Sequence, residues 1–367
     1  MHFLRRVWQI AVRIDREALI YARPLRAAVV SLIGLGLLIG HHDVRSALPF
    51  GVGVLFAAMA DRGGPLRQRV VPMIGTSIAI TIGTGLGGIV SSGTWAHILL
   101  GGVVALVCGF AGAIGVRWMA GGVLTLVVYT IFGGAPITLL ASGLDAMWMA
   151  IGCTTLILSM LVAHAAARLV GRGVAPLPAS EVEHPPSVWS RAREHLHWND
   201  QFVLHAIRLS LVIMLAITLE EELTFPHSYW IPMTVAWITR PDLDGTVERV
   251  VLRVVGTLVG IAFAGTFLVT IHPGTPLSVL MVSFAVFLVL SFLVPNYAIA
   301  VVGITIFVFF LFSIVGYPTE QMIVTRIFST LLAAVLVAIA IHVGPRGEPA
   351  PSTGPELAQP AAPPPLH

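Results

Sequence analysis

Apolar runs of membrane-crossing length recur along most of the chain, separated by short polar breaks. They fall at 25–41, 47–60, 70–90, 96–116, 118–134 and 146–168, and after a longer polar interval at 204–220, 229–239, 250–271, 276–294, 297–315 and 323–343. A bilayer's hydrocarbon core is about 30 Å thick and takes roughly 20 helical residues. The pattern therefore predicts an all-α polytopic membrane protein with about twelve transmembrane helices. The strict alternation of a membrane barrel is not seen. The second run of each half is unusually short and carries helix breakers at matching places: Pro49, Gly51 and Gly53 in one, Pro232 in the other. Paired short or interrupted segments predict unwound backbone lining a cavity; the plainer reading is a kinked helix.

The polar stretches divide the chain. Residues 1–170 read as a first six-helix membrane repeat, 171–203 as a cytoplasmic linker, 204–343 as a second six-helix repeat, and 344–367 as a disordered Pro- and Ala-rich tail. Within the linker, 187–200 predicts an amphipathic helix, with Trp189, Leu196 and Trp198 turned to lipid or the bundle and Arg191 and Arg193 to headgroups. Sliding the sequence by 181 residues lays Gly75 and Thr76 on Gly256 and Thr257, Asp61 on Asp242, and 48–53 on 229–234, without a gap. An even number of spans in each half gives both the same orientation, so the expected arrangement is two parallel six-helix repeats.

Composition agrees with this class: 56% of residues are hydrophobic, 11% are charged, and mean hydropathy is +0.90. Every basic residue is arginine. Arg5, Arg6, Arg13, Arg16, Arg23 and Arg26 precede the first span, Arg62, Arg67 and Arg69 follow the second, Arg117 follows the fourth, and Arg168, Arg172, Arg191 and Arg193 follow the sixth. Connections on the other side carry only Arg45 in this half, which places both termini and the linker in the cytoplasm. The net charge of +3 thus describes topology, and no nucleic-acid partner is expected. The first 24 residues lack the apolar core of a cleavable signal and read as a basic interfacial segment.

Cys108 and Cys153 lack the spacing of a metal or disulfide framework, and His41, His42 and Asp43 read as a solvated turn, so neither metal nor cofactor is expected. His164 and His205 read as interfacial histidines. The run GTGLGG at 83–88 and the pairs Gly36/Gly40 and Gly256/Gly260 read as close helix contacts. Glu220, Glu221, Glu222 and Asp145 gather on the outer side, either to guide protons or deter anion re-entry or, more plainly, as a solvated outer loop.

The chemistry concentrates at 229–260. Pro241 ends one span, 242–245 make a turn, and a helix is expected from near Thr246 with Asp244 as N-cap. Along it Thr246, Arg249, Arg253, Gly256, Thr257 and Gly260 share one face. An arginine as deep as Arg253 suits an anionic partner, since its planar fork binds a carboxylate bidentately; the alternative is a structural arginine. Arg249 reads as structural, paired with Glu248, Asp242 or headgroups. Arg326 falls on Asp145 under the 181-residue shift, which predicts an ion pair or coupling site; an interfacial arginine near Glu320 is the other reading.

Trp230, Thr234, Pro241, Thr246, Arg249, Arg253, Gly256, Thr257 and Gly260 together resemble the signature of the fusaric acid resistance protein-like and aromatic acid exporter superfamily. Arg326, Thr330, Ser329 and Ala333 resemble a second motif, with Ser329 and Ala333 departing from the family's Asp and Gly; the first half keeps Asp61, Gly75, Thr76 and Gly152 but has Gln68 and Pro72 where the arginines would be. The resemblance implies a bacterial inner-membrane efflux component for aromatic or other organic acids and fixes neither substrate nor driving force. The first expectation is a secondary exporter of small organic anions, proton-coupled; no catalytic constellation is seen, so no enzyme is expected. Arg253 would bind the carboxylate with Arg249 and Thr257, while Trp230, Thr234 and Trp237 would line the site near Pro232. A passive anion channel and a subunit of envelope assembly are the rival readings. A homo-oligomer or a periplasmic accessory protein fits as partner beside the lipid bilayer.

Overall fold

The computed structural model describes residues 14–16, 19–90, 95–134, 137–170, 187–223, 225–241 and 243–343. Among these residues there is no β-strand. The helices are α1 (Ala22–Gly40), α2 (Ala47–Ala60), α3 (Leu66–Ile89), α4 (Trp95–Ile114), α5 (Val116–Gly133), α6 (Leu139–Leu169), α7 (Val188–Glu194), α8 (Gln201–Glu222), α9 (Trp230–Ile238), α10 (Leu243–Ile271), α11 (Thr275–Phe292), α12 (Tyr297–Val315) and α13 (Thr319–Val343). Ten are long and apolar enough to cross a membrane. Residues 171–186 of the expected linker and the tail 344–367 lie outside the described residues; the helix expected over 187–200 is present only over Val188–Glu194, as α7, with Trp189 on it and Leu196 and Trp198 beyond it all exposed.

The two short helices sit at the centre. At 1.5 Å per residue α2 spans about 21 Å and α9 about 14 Å, both less than a hydrocarbon core. Every residue of α9 is buried, as are all of α2 except Leu48 and Ala58. A helix apolar on all sides needs such an enclosed position. Phe56 of α2 meets Trp237 of α9 edge to face, ring centres 6.0 Å apart. The expected break in these segments is corrected: both are continuous, and Pro49 and Pro232 occupy the first turn, where a missing N–H deprives no intrahelical acceptor.

Around this pair α3 packs along α5 and α6, and α10 along α12 and α13; α2 lies on α6, and α9 on α13. Across the middle α4 runs against α8, and α11 against α1. Glycine permits the closest approaches. A Cβ at Gly122 would lie 2.5 Å from the Cys108 carbonyl oxygen, and one at Gly303 would lie 3.0 Å from the Val289 nitrogen. Both pairs are related by the 181-residue shift. Gly256 and Gly260 pack against Ala298 and Thr305 as the sequence led us to expect, whereas Gly36 and Gly40 face open space.

Arginines on the face carrying the 61–65, 239–241 and 293–296 connections hold helix C-termini, whose last carbonyls lack intrahelical donors. Arg23 donates to the Asp61 carbonyl at 3.0 Å, Arg208 to the Arg240 carbonyl at 3.2 Å, and Arg249 to the Trp237 carbonyl at 3.2 Å. Pro72, inside α3, leaves the carbonyl of Gln68 without its usual donor. Arg117 supplies that bond at 2.9 Å.

The Asp61 carboxylate, just beyond α2, accepts from Arg69 at 2.8 and 2.7 Å and from Arg26 at 3.1 Å. Burial raises its pKa, but the hydrogen bond and charge of Arg69 outweigh burial and hold it below the ordinary value. A carboxylate depressed on folding stabilises the native state fully above its unfolded pKa, and loses that contribution as pH falls through its folded one. Asp61→Asn breaks this buried ion pair and should cost about 3 kcal/mol near neutral pH. Thermal unfolding in detergent checks this: the gap between native protein and variant should close in acid below the ordinary aspartate range.

Candidate functional site

Trp230, Thr234 and Trp237 form one stripe along α9, because steps of four and three residues return to the same helix face. A buried arginine lies over each tryptophan. The guanidinium carbon of Arg326, on α13, is 4.9 Å from the Trp230 ring centre, and that of Arg253, on α10, is 5.7 Å from the Trp237 ring centre. Both arginines are 0% exposed. Their guanidinium nitrogens have no hydrogen-bond partner among the described residues, and Tyr297 approaches Arg253 without reaching hydrogen-bond geometry. Each cation lies within electrostatic reach of the other.

The hydroxyls of Thr234, Thr257, Ser329 and Thr330 are also buried and unpaired. One short helix and two long ones thus converge two cations and four hydroxyls. The cost of burying a cation is several kcal/mol even after relaxation. A cation–π stack offsets about 2 kcal/mol of it. The imbalance, together with the unpaired donors, leaves a buried, positively charged cluster beside two tryptophan faces.

A cavity of about 760 Å³ leads toward this cluster from the arginine-rich face. Arg23, Arg26, Asp61, Arg62 and Arg240 border it, and Trp237, Leu252, Arg249 and Tyr297 line its inner part. It is of small-molecule size. Arg249 stands at this inner end, its guanidinium carbon 4.2 Å from the Tyr297 ring centre. Toward the opposite face aromatic rings close the path: His227 stacks on Trp230 at 5.0 Å and meets Tyr317 at 4.7 Å and Phe312 at 5.4 Å.

The structure brings Arg253, Thr257, Trp230, Thr234, Trp237 and Arg326 together. Pro232 contributes to the start of α9 and not to the polar cluster. Arg249 sits at the cavity end, one guanidinium nitrogen donating to the Trp237 carbonyl. No ion pair joins Arg326 to Asp145, which lies on α6 within reach of Arg45. Asp242 lies outside the described residues, and α10 begins at Leu243, earlier than expected. His205 is buried on the cavity wall instead of interfacial. Glu220, expected in a solvated loop, is 4% exposed with both carboxyl oxygens unpaired.

These features define a multi-pass helical membrane protein with a cavity lined at its inner part by Trp237, the ring over which buried Arg253 lies. Residues 211–340, which include the whole polar cluster, match the family described as fusaric acid resistance protein-like, so the resemblance read from the motif holds over that stretch. Similar proteins include YhfK of Escherichia coli K12, 32% identical over 146 residues, covering 39% of this chain and 20% of that one. The inner membrane protein YccS of Escherichia coli K12 is 28% identical over 154 residues, 42% of this chain and 21% of its own. An uncharacterized Haemophilus influenzae protein is 29% identical over 147 residues, 40% and 20% of the two chains. The matched stretch thus spans about a fifth of the length of these relatives. No solved structure matches the chain.

Proposed function

We propose that the protein is a secondary exporter of small aromatic or other organic anions in a bacterial inner membrane, with proton coupling and both termini in the cytoplasm. The observation that carries this reading is the pair of fully buried arginines, each over a tryptophan and each with an unpaired guanidinium. The cavity then serves as the cytoplasmic entrance, where arginines gather anions before one passes Trp237 to reach Arg253. Parallel packing relations in the two halves, and the matched glycine contacts at Gly122 and Gly303, support two parallel six-helix repeats with twelve membrane helices. In that arrangement α2 and α9 meet on the pseudo-twofold axis. Only the second half carries arginines here, since Pro72 stands where Arg253 would.

A passive organic-anion channel is the second reading. The aromatic closure around His227 and Trp230 favours a carrier that must rearrange over a standing pore. Flux of labelled 4-hydroxybenzoate into proteoliposomes, with and without an imposed pH gradient, separates the two. Saturable flux that responds to the gradient supports the exporter. Flux indifferent to the gradient, with unitary currents in planar bilayers, supports the channel, and absence of organic-anion flux overturns both.

A further inference from the structure

Arg253 and Arg326 stand at two levels of one stripe. The ring beneath Arg326, Trp230, and the ring beneath Arg253, Trp237, lie on α9 two turns apart, about 10 Å along its axis. Short connections make α10, α11, α12 and α13 alternate in direction, so α10 and α13, which pack on one another, run oppositely. Thr257 lies one turn past Arg253, and Ser329 and Thr330 one turn past Arg326. Those turns advance toward each other. The three hydroxyls therefore fall between the two cations, at the level of Thr234 on α9. All four hydroxyls are buried, with no hydrogen-bond partner among the described residues.

The charges here do not balance. Among the described residues the ionisable neighbours of Arg253 are Arg249 and Tyr297, and those of Arg326 are Arg253 and Tyr229. None is a carboxylate. Arg249 is already engaged with the Trp237 carbonyl. A monoanion would neutralise one buried guanidinium and leave the other with its desolvation cost uncompensated.

We infer that the substrate is a dianion with its two acid groups at opposite ends of a small scaffold, one held by Arg253 with Thr257 and the other by Arg326 with Ser329 and Thr330. The inference rests on the anion-binding reading above and narrows its substrate class. Each end then offers a planar fork for one edge of a carboxylate and a hydroxyl for a remaining lone pair. A dianion whose charges share one end, such as a phosphate monoester, meets only one of the two cations.

Isothermal titration calorimetry of the full chain in detergent tests this with three rigid probes. Benzoate carries one carboxylate, terephthalate two at opposite ends of the ring, and phthalate two side by side; all are ionised at neutral pH. Terephthalate should bind one per chain and about a hundredfold tighter than benzoate, because it adds a second desolvated charge pair. Phthalate should remain near benzoate. Arg253→Gln and Arg326→Gln should each abolish the advantage of terephthalate over benzoate, with thermal unfolding to verify that the variants are folded; the comparison in the native protein stands without them. Benzoate binding with no preference for terephthalate overturns the dianion inference and leaves the anion site standing. Phthalate as tight as terephthalate contradicts the two-ended spacing. Two benzoate ions per chain, one lost with each arginine, also overturns it, since the cations would then serve separate anions. Binding of none of the three refutes the anion-binding reading itself.

Discussion

Replacing Arg253 by alanine lowers organic-anion flux at least a hundredfold while leaving the protein folded and at least as stable as before. Truncating a desolvated charge that binds an opposite charge costs about 3 kcal/mol or more in affinity, roughly two orders of magnitude. The stability side runs the other way. Arg253 is buried with no hydrogen-bond or ion-pair partner for its guanidinium among the described residues, so removing it removes a desolvation penalty larger than the Trp237 stack it loses. A purely structural arginine would give the opposite signature, a lower melting temperature alongside lost flux. Arg326→Ala should behave like Arg253→Ala. Arg253→Lys should recover only part of the activity, because an ammonium lacks the planar fork. Flux in proteoliposomes and thermal unfolding in detergent, run on the same preparations, separate these outcomes.

The second large effect is structural. Gly122→Val or Gly303→Val should abolish recovery of folded protein, and even alanine should cost about 3 kcal/mol at Gly122 and about 1–2 kcal/mol at Gly303. At Gly122 a Cβ falls 2.5 Å from the backbone oxygen of Cys108, and at Gly303 it falls 3.0 Å from the backbone nitrogen of Val289. Neither obstacle can rotate away, so α5 would have to separate from α4, and α12 from α11. Forced overpacking costs 1–3 kcal/mol even when side chains can yield. Gly75→Ala supplies the control. Nothing lies within 4 Å of its added Cβ, and helix propensity alone favours alanine by up to about 1 kcal/mol. Size-exclusion profiles of the detergent-extracted variants report the result, with the larger loss at Gly122, where the added Cβ has the smaller clearance.

Much of this architecture was legible in the hydropathy pattern. Lipid supplies no hydrogen bonds, so each span must be a helix, and the segments predicted at 47–60 and 229–239 became α2 and α9 within a residue or so. What periodicity could not show is what a helix meets. Pro49 and Pro232 looked like interruptions because position within the first turn is invisible until the helix start is known. Gly36 and Gly40 have the same spacing as Gly256 and Gly260, yet only the latter face a neighbour.

The site followed the same rule. The stripe of Arg253 and Thr257 on α10 was readable from spacing, as was the Trp230 and Trp237 face of α9. The stacking of Arg326 on Trp230 was not, because it joins helices far apart in sequence, and the internal shift pointed instead to Asp145. Glu220 was hidden among three consecutive glutamates at the end of an apolar run. One signal could have singled it out: it lies on the α8 face of Ile213, Ala216 and Ile217, which is buried.

The most direct measurement is the position of a heavy-atom anion in the folded protein. Soaking 4-iodobenzoate into crystals and locating iodine by its anomalous signal should place a peak beside Arg253 and Arg326, between Trp230 and Trp237. That peak should vanish in Arg253→Ala. Iodine found only among the arginines at the cavity mouth, or a peak at the buried site that survives Arg253→Ala, would contradict the account.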